Sequence, residues 1–121
     1  MAACASKPPA PPQTSTTTTA QAAPSTAPLQ VGLSPSGVTT SLSAPASSTE
    51  EEYYLACHWA RVWMSGQPGD PHAQIEPYLA MVQHSQNGEN GTWNTPWAKL
   101  SAERQSAVIV AATAAADGGC D

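Results

Sequence analysis

From residue 50 onward, apolar side chains recur at three- and four-residue spacing, the period of a helix that buries one face. Tyr53, Cys57, Ala60 and Met64 form the first stripe, with Ala56 and Trp63 beside it, and predict helix one over residues 49–65. Ser47-Ser48-Thr49-Glu50-Glu51-Glu52 supplies its start. Ser48 with Glu51 and Thr49 with Glu52 make overlapping capping boxes, and the glutamates lie at the positive end of the helix dipole. Gly66 offers the stop. After the turn residues Gln67-Pro68-Gly69, Asp70-Pro71 provides an N-cap followed by proline at the first helical position. Helix two then runs to about residue 83 on a stripe of Ile75, Tyr78, Leu79 and Val82. Pro77 lacks an amide donor, so it must kink this helix or split off its first turn.

Asn87-Gly88 and Asn90-Gly91 mark residues 84–91 as a mobile surface loop. Thr95-Pro96-Trp97 reads as a cap and a short helical turn, and Leu100-Ser101-Ala102-Glu103 caps a last, Ala-rich helix. That helix carries Val108, Ile109, Ala112 and Ala115 and ends at Gly118-Gly119. No stretch alternates with period two for long enough to argue for a sheet. The fold class expected is all-α, a small three- to four-helix domain over residues 48–121.

The first part of the chain has no such pattern. Residues 1–49 contain no aromatic and no acidic residue, one charge at Lys7, and eight of the twelve prolines. Little there offsets an ordering entropy of about 1–2 kcal/mol per residue, so residues 1–47 are expected to form a disordered Pro/Ser/Thr/Ala tether. Thr16-Thr17-Thr18-Thr19 in that tether would suit O-glycosylation. The charges lie almost entirely in the other part, where nine carboxylates face only Arg61, Lys99 and Arg104, a net charge of −6. Such a surface repels phosphate backbones and anionic headgroups, which argues against nucleic-acid partners.

A domain of seventy-odd residues stands near the limit at which one core outweighs chain entropy, which directs attention to the three cysteines. Cys4 follows Met1-Ala2-Ala3 and precedes a polar stretch, like the small-residue lipobox at which a bacterial signal peptide is cleaved and the cysteine acylated. No apolar segment precedes it, so the signal is expected to have been removed; Met1 stands where a lipobox usually has leucine. A lipid on Cys4 would account for the tether, which would lift the domain off the membrane. Cys57 in helix one and Cys120 near the C-terminus are then expected to pair, the alternative being two free thiols. Closing so long a loop stabilises by about 4 kcal/mol in the chain-entropy model.

Thr-Glu-Glu-Glu-Tyr-Tyr-x-x-Cys-His at residues 49–58, Ile-Glu-Pro-Tyr-Leu-Ala at 75–80 and Gln-Ser-Ala-Val-Ile-Val-Ala-Ala at 105–112 together resemble the LpqV family. Its members are small proteins of mycobacteria and related actinobacteria described as lipoproteins. The resemblance runs from about Val31 to Cys120 and includes Gly37-Val38-Thr39-Thr40. It implies export, acylation at Cys4 and the positions of Cys57 and Cys120. It implies no activity, since the family's function is unknown.

Candidate chemistry is sparse. His72 and Glu76, one helical turn apart, could converge on a metal with His84 or Asp70, yet two ligands do not make a site. Cys57-His58 could suggest a thiol and its base, but adjacent helix residues diverge and a disulfide would consume the thiol. With no phosphate loop, nucleophile elbow or paired carboxylates, an enzyme is the poorest reading, and no cofactor or metal is assigned. The four tryptophans are heavy for so small a domain. They either fill a core that lacks phenylalanine or form an aromatic groove between helix one and the Trp93–Trp97 segment. Tyr54, Trp59 and Val62 lie off the buried stripe of helix one, so some aromatic surface is expected to be exposed.

The sequence thus points to a lipid-anchored envelope module on the extracytoplasmic face of the cell membrane. It would bind another envelope component, expected to be a protein, through Tyr54, Trp59, Trp63, Trp93 and Trp97. The alternative is a carrier for a small hydrophobic ligand such as a lipid or haem.

Overall fold

Thr49 begins the first helix as its spacing from Glu52 requires. The structure is a computed structural model describing residues 29–120. α1 spans Glu50–Ser65; the Thr49 hydroxyl accepts from the Glu52 amide at 3.0 Å, and the Glu52 carboxylate accepts from the Thr49 amide at 3.0 Å. Of the two overlapping boxes, this one forms the cap. The Glu52 carboxylate also receives both guanidinium nitrogens of Arg104 at 2.9 Å. Arg104 chiefly, and then the Thr49 amide, hold that carboxyl below its usual range.

The second helix comes in two pieces. Pro71–Gln74 is a single 3-10 turn capped by Asp70, whose carboxylate accepts from the His72 amide at 2.9 Å, and α2 follows over Ile75–His84. Pro77 falls in the first turn of α2, where an amide would have no partner within the helix, so the first turn splits off and α2 itself need not bend. α3 spans Ala102–Ala116, with the Ser101 hydroxyl accepting from the Arg104 amide at 3.2 Å. It closes in a Schellman motif. Gly118 takes the left-handed conformation (φ 79°), its amide donates to Ala115 O, and the Gly119 amide donates to Ala114 O at 2.8 Å.

That turn delivers Cys120 to Cys57, and the two form a disulfide with Cα atoms 5.5 Å apart. Between the helices it joins, the seam is built from small side chains: Ala56, Cys57 and Ala60 of α1, and Ala111, Ala112 and Ala115 of α3, all buried. Small residues let the helix axes approach closely, and α1 with α3 is the most extensive pairing among the described elements. Tyr78, Leu79 and Val82 of α2 pack into the same core with Val108 and Met64. The stripes expected for all three helices therefore face the core, with Tyr53, Trp63 and Ile75 only partly buried at its edge.

The expected all-α class needs amending, because the described residues are mostly helical but carry a small sheet. β1 (Val31–Leu33) and β2 (Thr39–Leu42) pair antiparallel inside the stretch 1–47 that was expected to be disordered. Residues 1–28 of that stretch, including Cys4, lie outside the described residues. The hairpin is held by tertiary contacts. Val38 is buried in the core, and the Gln83 side chain of α2 accepts from Thr39 N at 2.9 Å and donates to Thr39 O at 2.7 Å, like a further strand. Ser106 of α3 donates to Ala44 O at 2.7 Å, and the Ser47 amide donates to Glu103 O. The turn Ser34-Pro35-Ser36-Gly37, with Gly37 left-handed (φ 84°) and its amide donating to Ser34 O, has proline and glycine where such a turn wants them.

The loop expected to be mobile over residues 84–91 is tied to the fold at its far end. Gly91 and Thr92 are buried in a 3-10 turn, Asn90–Thr92. The Thr92 hydroxyl accepts from Glu89 N at 2.9 Å and donates to Thr95 O at 2.9 Å. A further 3-10 turn at Trp97–Lys99 leads into α3, as Thr95-Pro96-Trp97 suggested.

One exposed polar clamp joins the 3-10 turn that precedes α2 to the end of α3. His72 Nδ1 lies 3.2 Å from Asp70 Oδ1, and Nε2 lies 2.5 Å from Asp117 Oδ1. Asp117 chiefly, and then Asp70, raise the imidazole above its ordinary value of 6.5. Asp70 is held below its ordinary value by the His72 amide and side chain. The stabilisation from His72 is therefore fully present below the unfolded histidine value and is lost as pH rises through the raised one; the Asp70 part is lost instead as pH falls through its lowered value. The imidazole of Asp117→Asn should titrate lower by NMR, and the urea midpoint of this variant should differ from wild type more at pH 5.5 than at pH 8. An equal difference at both pH values would contradict the clamp.

Candidate functional site

α1 has more large residues than one buried stripe accommodates, and those left over form its outer face. Tyr54 is 51% exposed, Trp59 36% and Val62 45%. Tyr54 stacks on His58 with ring centroids 5.7 Å apart, and His58 meets the edge of Trp59 at 5.1 Å, so the outer face carries a continuous aromatic row.

Beside this row the chain leaves a pocket of about 150 Å³ between α1, α2 and the 89–91 turn. Trp59, Val62 and Trp63 form one wall, Tyr78 and Met81 the second, and Glu89, Asn90 and Gly91 the rim. Trp63 and Tyr78 sit with ring centroids 5.6 Å apart at an interplanar angle of 55°. The absence of a side chain at Gly91 is required here, since a Cβ would collide with Tyr78 Oη. That hydroxyl is buried and has no hydrogen-bond partner among the described residues. Burial chiefly, and the nearby charge of Glu89, raise its pKa above the ordinary phenol value. The apolar walls and single acidic rim residue suit a small group with an apolar body and a polar or cationic end.

The structure divides the tryptophans. Trp59 and Trp63 meet at the pocket, next to Tyr54. Trp93 instead locks the N-terminal ends of α1 and α3 together: its indole N–H donates to Glu52 O at 2.8 Å, and the Arg104 guanidinium lies over its ring at 4.3 Å. Its backbone, like that of Asn94, is left-handed (φ 57° and 58°), which a bulky residue adopts only where the surroundings dictate it. Trp97 is partly buried against the core, and its carbonyl accepts from Gln105 Nε2 at 2.8 Å. The groove expected between helix one and Trp93–Trp97 is therefore placed differently, with α2 and the 89–91 turn facing α1. Tyr78 and Met81 carry the helical spacing that could have pointed to it; Glu89 and Gly91 gave no signal beyond loop composition.

The other candidates are engaged elsewhere. His72 is held by Asp70 and Asp117, and His84 Nδ1 donates to Ala80 O at 2.7 Å. Among the described residues no group of three or more His, Cys, Asp or Glu is arranged to hold a metal ion. The Cys57 thiol is spent in the disulfide.

A buried hydroxyl without a partner costs about 1–3 kcal/mol. Tyr78→Phe should therefore leave stability unchanged or raise it by about 1 kcal/mol in urea unfolding, since the hydroxyl makes no compensating bond among the described residues. A loss beyond about 1 kcal/mol would mean that Oη has a partner in solution.

Comparison with known proteins agrees with the sequence motifs. Residues 25–121 match the family model described as "Putative lipoprotein LpqV". Proteins of that name from Mycobacterium bovis and from two strains of Mycobacterium tuberculosis are each 61% identical to the chain over 90 residues, covering 74% of it. The chain spans 65% of the length of these relatives in the match. No solved structure matches it. Among the described residues no helix is long and apolar enough to cross a membrane. By the extent of the family match and the identity to these relatives, the chain belongs to the LpqV family.

Proposed function

We propose that this protein is a non-catalytic binding module, held at the extracytoplasmic face of the cell membrane by acylation of Cys4, that docks a protein partner on the outer face of α1. The observation that carries the reading is the exposed row Tyr54, Trp59 and Val62 running into an apolar pocket. Aromatic side chains beside a small pocket are the usual anchors of protein interfaces. The family name supports a lipoprotein, and the partner is inferred from this surface alone.

The size of the pocket favours a docked side chain over a carried molecule. Its volume of about 150 Å³ is that of a cavity admitting benzene, whereas drug-sized ligands occupy about 300–1,000 Å³. A haem or a whole lipid is larger than this pocket. Two wider depressions flank residues 46–49 at the start of α1, but Thr49, which lines both, and Ser101, which lines one, are committed to helix caps.

A photo-crosslinking residue at Val62 should capture a defined partner in the host envelope, while the same residue at Val110, equally exposed on α3, should not. Trp59→Ala, with folding confirmed by circular dichroism, should abolish the Val62 product. Equal capture at both positions, or a Val62 product unaffected by Trp59→Ala, would overturn the reading. Cys4→Ala should move the protein from the membrane to the aqueous fraction.

A further inference from the structure

We infer that the pocket between α1, α2 and the 89–91 turn is a binding site for an alkylammonium group, its alkyl stem against Trp59, Val62 and Met81 and its charge at Glu89. The inference rests on the protein-docking reading for one source of that group, a lysine side chain, but not for the chemistry of the site.

The walls are suited to the stem. Val62 offers aliphatic surface, Met81 a flexible apolar chain, and Trp59, Trp63 and Tyr78 supply rings whose π-faces attract cations. A lysine-like chain keeps its methylenes on apolar surface and its head at a polar rim. That rim holds Glu89 and the amide of Asn90, and none of the eight lining residues is basic. Glu89 lines the pocket together with Tyr78, and its charge acts on the Tyr78 hydroxyl. Two aromatic walls and one carboxylate are a recurring arrangement for organic cations. An anion would meet Glu89 and an excess of negative charge over the whole domain, nine carboxylates against Arg61, Lys99 and Arg104. The volume of about 150 Å³ admits a four- or five-atom chain rather than a bulky ring system.

The test titrates the full chain with n-butylammonium chloride and, in parallel, with n-pentanol, a neutral chain of similar length, reading the indole N–H signals of the tryptophans by NMR. Butylammonium should shift the Trp59 and Trp63 signals in a saturable way and leave Trp93 and Trp97 unmoved. Pentanol should bind at least about tenfold more weakly, and Glu89→Gln should weaken butylammonium by about tenfold while leaving pentanol unchanged. A short lysine peptide separates the sources: tighter binding than free butylammonium assigns the group to a partner's side chain, and exclusion of the peptide assigns it to a free amine. Equal binding of amine and alcohol, or no shift from either, overturns the inference. A failed crosslink at Val62 with butylammonium still bound would remove the docking reading and leave this site standing.

Discussion

The close packing of α1 on α3 is the constraint on which the rest of the structure depends. Alanines and Cys57 bring the two helices together, and the Schellman turn after α3 directs Cys120 back onto α1 to close the seam covalently. At the other end Arg104 binds Glu52 with both nitrogens and covers Trp93, whose indole holds the first turn of α1. α3 is thus tied to α1 near both of its own ends, at Glu52 and at Cys57, and α2, the hairpin and the 89–95 turn pack against a frame already set.

The site follows from how α1 is used. Its small residues are spent on the seam, and Met64 and the flank of Tyr53 on the core, so the large side chains that remain must face elsewhere. Trp63 leans onto Tyr78 of α2, Trp59 turns partly outward, and Tyr54 and Val62 stay about half exposed. α2 cannot close fully over the large rings, and Gly91 is the residue that allows the last approach. The pocket is what that fit leaves, and Glu89 gives its mouth a charge. A small domain can keep an exposed aromatic row of this kind because the disulfide, rather than a larger core, supplies the missing stability.

Much of this was legible in the residues. The helix stripes, the Thr49 and Ser101 caps, the pairing of Cys57 with Cys120 and the exposure of Tyr54, Trp59 and Val62 all follow from local spacing and chain chemistry. What escaped depends on partners far away in the chain. The hairpin strands are three and four residues long, too short for a period, and exist because Gln83, Ser106 and the core around Val38 receive them. The serines, proline and glycines of the strands and their turn read equally well as a tether. Trp93 flanks the loop-to-turn segment in the sequence and so reads as part of a groove facing helix one; in the fold its backbone is left-handed and its indole donates to Glu52 O instead. The pocket's acidic rim came from a loop whose burial is set by Thr92 and Gly91, a tertiary outcome with no local signature.

The most direct test of this account is urea unfolding of the Cys57→Ala, Cys120→Ala double variant, followed by tryptophan fluorescence. If the closed α1–α3 seam holds the other elements in place, the variant should lose about 2–5 kcal/mol, and amides of the hairpin and of the 89–92 turn should lose hydrogen-exchange protection together. A loss below about 1 kcal/mol, with protection of both segments retained, would contradict it.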